Sequence, residues 1–158
     1  MLAGMNSDHA KLADWGMAYL KDIAPKQIAD LGCGGGRNAG ELLKKYPDAF
    51  VTALDYSALS VQKAADYNRA MIDAGRCKVL QGDVSRLPLH ADSFDLATAF
   101  ENVYFWPGLE ACFSQVAGIL RSDGSFMICN ESDEIGEALE AAGFSYQFSF
   151  KRLITSIV

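Results

Sequence analysis

Residues 27–36 read Gln-Ile-Ala-Asp-Leu-Gly-Cys-Gly-Gly-Gly, and the next residues, Arg37 to Tyr46, place Ala39, Leu42, Leu43 and Tyr46 at helical spacing. A short apolar run closed by glycines and followed by an amphipathic helix predicts a strand, a tight turn and a helix. In an open α/β sheet such a turn lies at the carboxyl end of a strand, where ligands bind. Glycine there lets the backbone approach a ligand with no Cβ in the way.

Outward from this turn the same alternation continues. Strands are predicted at 27–32, 50–55, 77–81, 94–100, 124–130, 144–150 and 153–158. Helices are predicted at 9–23, 37–46, 57–74, 109–120 and 135–142. Ser57 is placed to cap the third of these helices and Gly75 to end it, while Asp8 or Ser7 could cap the first, which Pro25 ends. Strands alternating with helices give an α/β protein with a doubly wound, mostly parallel sheet. The last two strands are too close for a helical crossover, so one of the seven runs antiparallel at the C-terminus. No linker or internal repeat divides the chain. A single domain is expected, with residues 1–25 as an N-terminal helical cap on a core of residues 26–158.

The chain has 158 residues, half of them hydrophobic and 22% charged, with a formal net charge of −6. An acidic chain with no basic run longer than a pair argues against nucleic acid as a partner. No apolar run approaches the ~20 residues of a membrane span, and the N-terminal residues lack a signal-peptide pattern. The four cysteines, Cys33, Cys77, Cys112 and Cys129, form no C-x-x-C pair and stand in apolar surroundings. A metal site is therefore not expected, and a reducing cytoplasm is the expected location.

Several residues near the predicted strand ends bear on the ligand. A dinucleotide fingerprint, G-x-G-x-x-G, counted from Gly32 meets Arg37 where the third glycine should stand, and counted from Gly34 meets Ala39. A carboxylate at Asp30 suits a cationic ligand better than a pyrophosphate. Asp55, ending the second strand, can accept hydrogen bonds from both hydroxyls of a ribose, or can serve only as charge at a helix start. Asp83, just past the third strand, can accept from an adenine amino group while the Val84 amide donates to the ring, or can be an ordinary turn aspartate.

The blocks ADLGCGGG, TALDYS, QGDVSRLPLHADSFDLATAF and LRSDGSFMICNE, in that order, resemble the class I, Rossmann-like S-adenosylmethionine-dependent methyltransferases. Within that class the resemblance is to small-molecule enzymes related to the ubiquinone/menaquinone methyltransferases. It implies S-adenosylmethionine as cofactor. It implies Asp30, Gly32, Cys33, Gly34 and Gly36 around the methionine part and Asp55 at the ribose. Tyr56 would pack on the adenine, with Asp83 and Val84 at the adenine edge and Phe100 at the amino group. It implies a small-molecule acceptor.

The run Glu101-Asn102-Val103-Tyr104-Phe105-Trp106-Pro107 follows the fourth strand, beside the expected position of the methyl group. Aromatic faces there suit a sulfonium and a flat or apolar acceptor, though the same residues could simply plug the core. Glu101, Tyr104 and His9 are the candidates for a general base if the acceptor is a hydroxyl. Two other readings of the chain stand beside methyl transfer: a non-catalytic module binding S-adenosylmethionine or its demethylated product, and an NAD-linked oxidoreductase. The short link between Asn130 and Ile135 is expected to mark either a break in the chain or an open pocket at that edge.

Overall fold

β1 (Gln27–Leu31) is buried beyond its first residue, as a strand covered on both faces must be. It pairs in parallel with β2 (Phe50–Asp55) on one side and β4 (Phe94–Phe100) on the other. β3 (Cys77–Gln81) lies beyond β2, and β5 (Leu120–Cys129) lies beyond β4, both again parallel. β7 (Arg152–Ile157) runs antiparallel to β5 and to β6 (Phe144–Ser149), so the order across the sheet is β3-β2-β1-β4-β5-β7-β6. The computed structural model describes residues 2–20, 22–129, 135–149 and 152–157, with side chains from 10–20, 22–129 and 135–145. The α/β, mostly parallel reading of the sequence holds.

The winding order reverses between β1 and β4, because the chain leaves β1 towards β2 and β3 and returns to β4 on the other side. Such a switch point opens a crevice at the carboxyl ends of the strands.

Helices cover both faces of the sheet. On one face Leu31, Leu54, Ala97 and Phe126 pack with Phe113 and Val116 of α5 (Leu109–Ile119). On the other, Ile28, Val51, Leu96 and Met127 pack with Leu42 and Leu43 of α2 (Arg37–Lys45) and Leu12 and Met17 of α1 (Leu2–Met17). The C-terminal end of α2 is held by Arg76, whose Nη2 donates to the carbonyls of Leu43, Tyr46 and Ala49 at 3.1, 2.9 and 3.1 Å. One guanidinium thus satisfies carbonyls that a helix end leaves without partners.

Several boundaries differ from the sequence expectation. α1 begins at Leu2 and ends at Met17 rather than spanning 9–23. Nothing in residues 2–8 breaks a helix, and the amides of Tyr19 and Leu20 bond to Gly16 and Met17 in a tighter closing turn. The helix expected over 57–74 starts with Ser57 accepting from the Ser60 amide, as expected, but divides into α3 (Ala58–Tyr67) and α4 (Arg69–Asp73). The break falls at Asn68, a buried side chain whose Nδ2 donates to Gly36 and Ala64 carbonyls at 2.9 and 3.1 Å. That bond ties the helix pair to the glycine turn. β5 begins at Leu120 rather than at 124. The extra residues form an irregularity between the Phe94 and Leu96 pairings, anchored by Arg121 on Asp95 at 2.6 Å. Finally, α6 covers Gly136–Ala141, slightly less than expected. The link between Asn130 and Ile135 lies outside the described residues.

Candidate functional site

A cleft of about 450 Å³ opens at the switch point. Gly32 lies at its floor, Leu54, Asp55 and Tyr56 on the β2 side, and Asp83 and Val84 past β3. Asn102, Phe105, Trp106 and Pro107 form the wall beyond β4. Five residues expected from the sequence, Gly32, Asp55, Tyr56, Asp83 and Val84, therefore meet around one space.

The floor is held by hydrogen bonds between the strand ends. The Gly32 and Cys33 amides both donate to Leu54 O, at 2.8 and 2.9 Å. Asp55 accepts from the Gly34 amide at 2.8 Å through one carboxylate oxygen and from the Ser57 amide at 2.9 Å through the other. Asp55 thus lines the cleft and also joins the glycine turn to the start of α3. Each carboxylate oxygen retains a second lone pair for a ligand.

Asn102 is the residue that sequence reasoning quoted without giving it a role. Its Nδ2 donates to Leu31 O at 2.7 Å and Gly32 O at 2.8 Å, stitching the exit of β4 to the exit of β1 across the switch point. Gly32 has φ +72°, and a Cβ there would collide with the Asn102 amide. Glycine at 32 is thus required twice, by conformation and by the close approach of Asn102. No motif signals this contact, because it depends on two strands that are distant in sequence.

Asp30 sits below the floor, 1% exposed, with Thr98 on the facing β4 position donating to its Oδ1 at 2.8 Å. Burial pushes its carboxyl up to about 7, against the pull of the Thr98 hydroxyl, and the charge of Asp55 adds to the rise. Its Oδ2 is buried with no hydrogen-bond partner, and so is Oδ1 of Asn102. Unsatisfied buried acceptors are rare and call for a donor. Asp83 accepts from the Ser85 amide and hydroxyl, both at 2.8 Å, and these bonds hold its carboxyl below the usual range. It stays ionised in the turn.

Other expected residues take different places. Cys33 turns into the core with its thiol pushed up by burial, so it contributes backbone and no nucleophile. Gly34 is open on its Cβ side, whereas a Cβ at Gly36 would strike Ala64 of α3 at 2.7 Å. Glycine at 36 therefore serves helix packing. Phe100 is buried in the core at the end of β4. Glu101 follows with φ +56°, a left-handed conformation that is costly for a side chain of this kind. Backbone strain of this sort collects at functional sites. Tyr104 lies on the 3-10 turn Val103–Phe105, half exposed. His9 falls on α1, and its side chain lies outside the described residues.

The aromatic run divides in burial. Trp106 is a core plug, 9% exposed, stacked on Phe126 at 6.3 Å and edge-on to Phe113 at 5.9 Å. Phe105, its neighbour, is 83% exposed at the lip of the cleft.

The chemistry of this lining tests which nucleotide it fits. Asp55 and Asp83 line the cleft, and among its described lining residues there is no lysine or arginine. Asn102 Oδ1 on its wall is buried without a donor, as is Oδ2 of Asp30, two residues before Gly32. Such a lining suits a ligand with a ribose and positively charged groups better than a pyrophosphate. The fold and the cleft are those of a class I, Rossmann-like methyltransferase, the class that uses S-adenosylmethionine.

The chain belongs to the methyltransferase-domain family, whose model matches residues 28–124. Among curated relatives, the sterol 24-C-methyltransferase of Gibberella zeae is 32% identical over 111 residues, covering 70% of this chain and 29% of that protein. The chain spans less than half the length of the first curated relatives it matches. Among solved structures, a SAM-dependent methyltransferase from Aquifex aeolicus superposes with a TM-score of 0.76 over 94% of this chain and 96% of that one, at 15% identity. The [4+2]-cyclase SpnF superposes with the same score over 87% of this chain and 58% of that one, at 20% identity. At such identities these likenesses concern the fold alone.

Proposed function

We propose that this chain transfers a methyl group from S-adenosylmethionine to a small-molecule acceptor. The observation that carries the proposal is the convergence of Gly32, Asp55, Tyr56, Asp83 and Val84 on one cleft at the switch point. When bound, S-adenosylmethionine supplies a methyl group on a sulfonium that an acceptor lone pair displaces in line, the bonding electrons returning to sulfur.

The chain's own residues then bind and orient. Asp55 accepts from the ribose hydroxyls with the lone pairs its backbone partners leave free. Tyr56, 77% exposed and with its carbonyl held by Gln81 at 3.1 Å, offers a ring face for the adenine. Asp83 and Val84 meet the adenine edge. Asp30 Oδ2 and Asn102 Oδ1 supply the acceptors that draw the positively charged end towards β1 and β4. Glu101 and Tyr104 adjoin the acceptor side and, with His9, are the side chains to test as a proton acceptor for a hydroxyl substrate.

Residues 1–25 act as a cap on the core. The support is α1, joined to α2 by Arg37 on both carboxylate oxygens of Asp14 (2.8 and 3.0 Å) and to β5 by the Cys129 thiol on Leu12 O (3.2 Å). The β6–β7 hairpin completes the seven-stranded arrangement with its antiparallel C-terminal strand. Four buried cysteines that form no disulfide support a cytoplasmic location.

Methyl-labelled S-adenosylmethionine offered with panels of hydroxyl, amine and thiol compounds tests the activity. Label should appear in an acceptor with the wild type and fall with Asp55→Ala. Binding of the cofactor with no transfer to any panel member would favour the non-catalytic module instead.

A further inference from the structure

Strand alternation puts Asp30 of β1 and Thr98 of β4 on the same sheet face as Ile28 and Phe100, the face that α1 and α2 cover. A carboxyl there is taken out of water with one donor, the Thr98 hydroxyl on Oδ1. Oδ2 has none among the described residues. A buried carboxylate with a single neutral donor is costly, and the neutral acid is the lower-energy state. Asp55, ending the neighbouring strand, adds a like charge. Asp55 has the Gly34 and Ser57 amides as donors, so of the two it is Asp30 that keeps a proton. The rise of the Asp30 carboxyl to about 7 agrees with this geometry.

Asn102 reaches Leu31 O and Gly32 O just past Asp30, and its Oδ1 also lacks a donor. Acceptors without donors thus stand on both strands that flank the switch point. An ammonium group brings three donors and no acceptor.

We propose that cofactor binding at this cleft is proton-linked through Asp30: the ammonium group of the cofactor displaces the Asp30 proton into solvent, so affinity falls as pH drops. This rests on the methyltransferase reading of the same cleft. The acid's O–H bond breaks, its electrons stay on Oδ2, and the proton goes to the buffer. The carboxylate then has a cation as its partner. Where free Asp30 is already ionised no proton leaves, and affinity is level; below that, each pH unit weakens binding by up to about ten-fold.

Other titratable groups lie on this face or at its edge. Burial pushes the Cys33 and Cys77 thiols up, away from the neutral range. Cys129 on β5 donates to Leu12 O. On α2, Arg37 is engaged by Asp14 of α1 and Glu41 by Lys44. Glu101 follows β4, and His9 belongs to α1. Replacing Asp30 separates its proton from all of these.

The test is calorimetry of the full chain with S-adenosylhomocysteine, which carries the ammonium, from pH 6 to 8 in buffers of different ionisation enthalpy. Binding should weaken roughly ten-fold from pH 8 to pH 6, with close to one proton released per ligand at pH 6. Asp30→Asn should bind more weakly but level within about two-fold across the range, and thermal melting should confirm that it folds. 5′-Methylthioadenosine, which lacks the amino-acid end, should bind the wild type with no pH dependence. A level wild-type profile overturns the proposal. So does the same slope in Asp30→Asn or with 5′-methylthioadenosine. If Asp30→Asn binds too weakly to titrate, Thr98→Val decides: losing the hydroxyl that favours the ionised acid should move the fall to higher pH, and an unmoved profile overturns the proposal. Failure of the wild type to bind S-adenosylhomocysteine at any pH would instead strike at the methyltransferase reading.

Discussion

Replacing Asp30 by asparagine should make the protein more stable at neutral pH while weakening its hold on the cofactor. Asp30 is 1% exposed, and its carboxyl is pushed from 3.8 up to about 7, burial being the largest cause. The folded state therefore keeps this proton up to about pH 7, while the unfolded chain releases it near pH 4. Between those values the unfolded state binds fewer protons, so the contribution of Asp30 to stability falls as pH rises. The loss is about 1.4 kcal/mol per pH unit, or about 4 kcal/mol over the whole interval. Asparagine keeps the shape and still accepts from the Thr98 hydroxyl, and it does not titrate. Any fixed cost of seating the amide cancels from the slope. Urea unfolding of both proteins from about pH 5.5 to 8 is the assay. The stability of Asp30→Asn minus that of the wild type should grow by about 2 kcal/mol up to pH 7 and then level off. A difference that stays flat across this range would refute the reasoning, since it would mean that Asp30 ionises as freely in the fold as in the unfolded chain.

Asp55→Ala should weaken S-adenosylmethionine by roughly 1.5–3 kcal/mol in calorimetry, and it should also loosen the glycine turn, because the Gly34 and Ser57 amides lose their acceptor. Gly32→Ala should cost more than about 1 kcal/mol in chemical unfolding and abolish cofactor binding, since the new methyl strikes Asn102; trimming Asn102 to alanine in the same chain should recover part of the stability. At Glu101, with φ +56°, glycine should be more stable than alanine by about 1 kcal/mol in parallel unfolding curves, because both lose the side chain and only glycine relieves the backbone.

What the sequence made legible was local chemistry with a strong period. The strand, glycine turn and helix around residues 27–46, the Ser57 cap and the run of strands all rest on spacing and turn residues. Asp55, Asp83 and Val84 could be nominated because they stand at strand ends. Asn68 and Asn102 were illegible for a common reason. Each is a single polar residue whose amide reaches carbonyls across the fold, Asn68 to Gly36 and Asn102 to Leu31 and Gly32, and no local pattern encodes such a reach. No local pattern divides the aromatic run, because whether Trp106 or Phe105 faces the core depends on the 3-10 turn between β4 and α5. The packing role of Gly36 is illegible for the same kind of reason, since a packing glycine and a binding glycine look identical until α3 is in place.

The central claim is that this cleft is built for a cationic adenosine ligand. Isothermal titration of the intact chain with S-adenosylmethionine and, separately, with NAD tests it most directly. The account predicts saturable one-site binding of S-adenosylmethionine and none of NAD at the same concentrations, because Asp55 and Asp83 line the cleft and no lysine or arginine stands among its described lining residues. Tighter binding of NAD would contradict it.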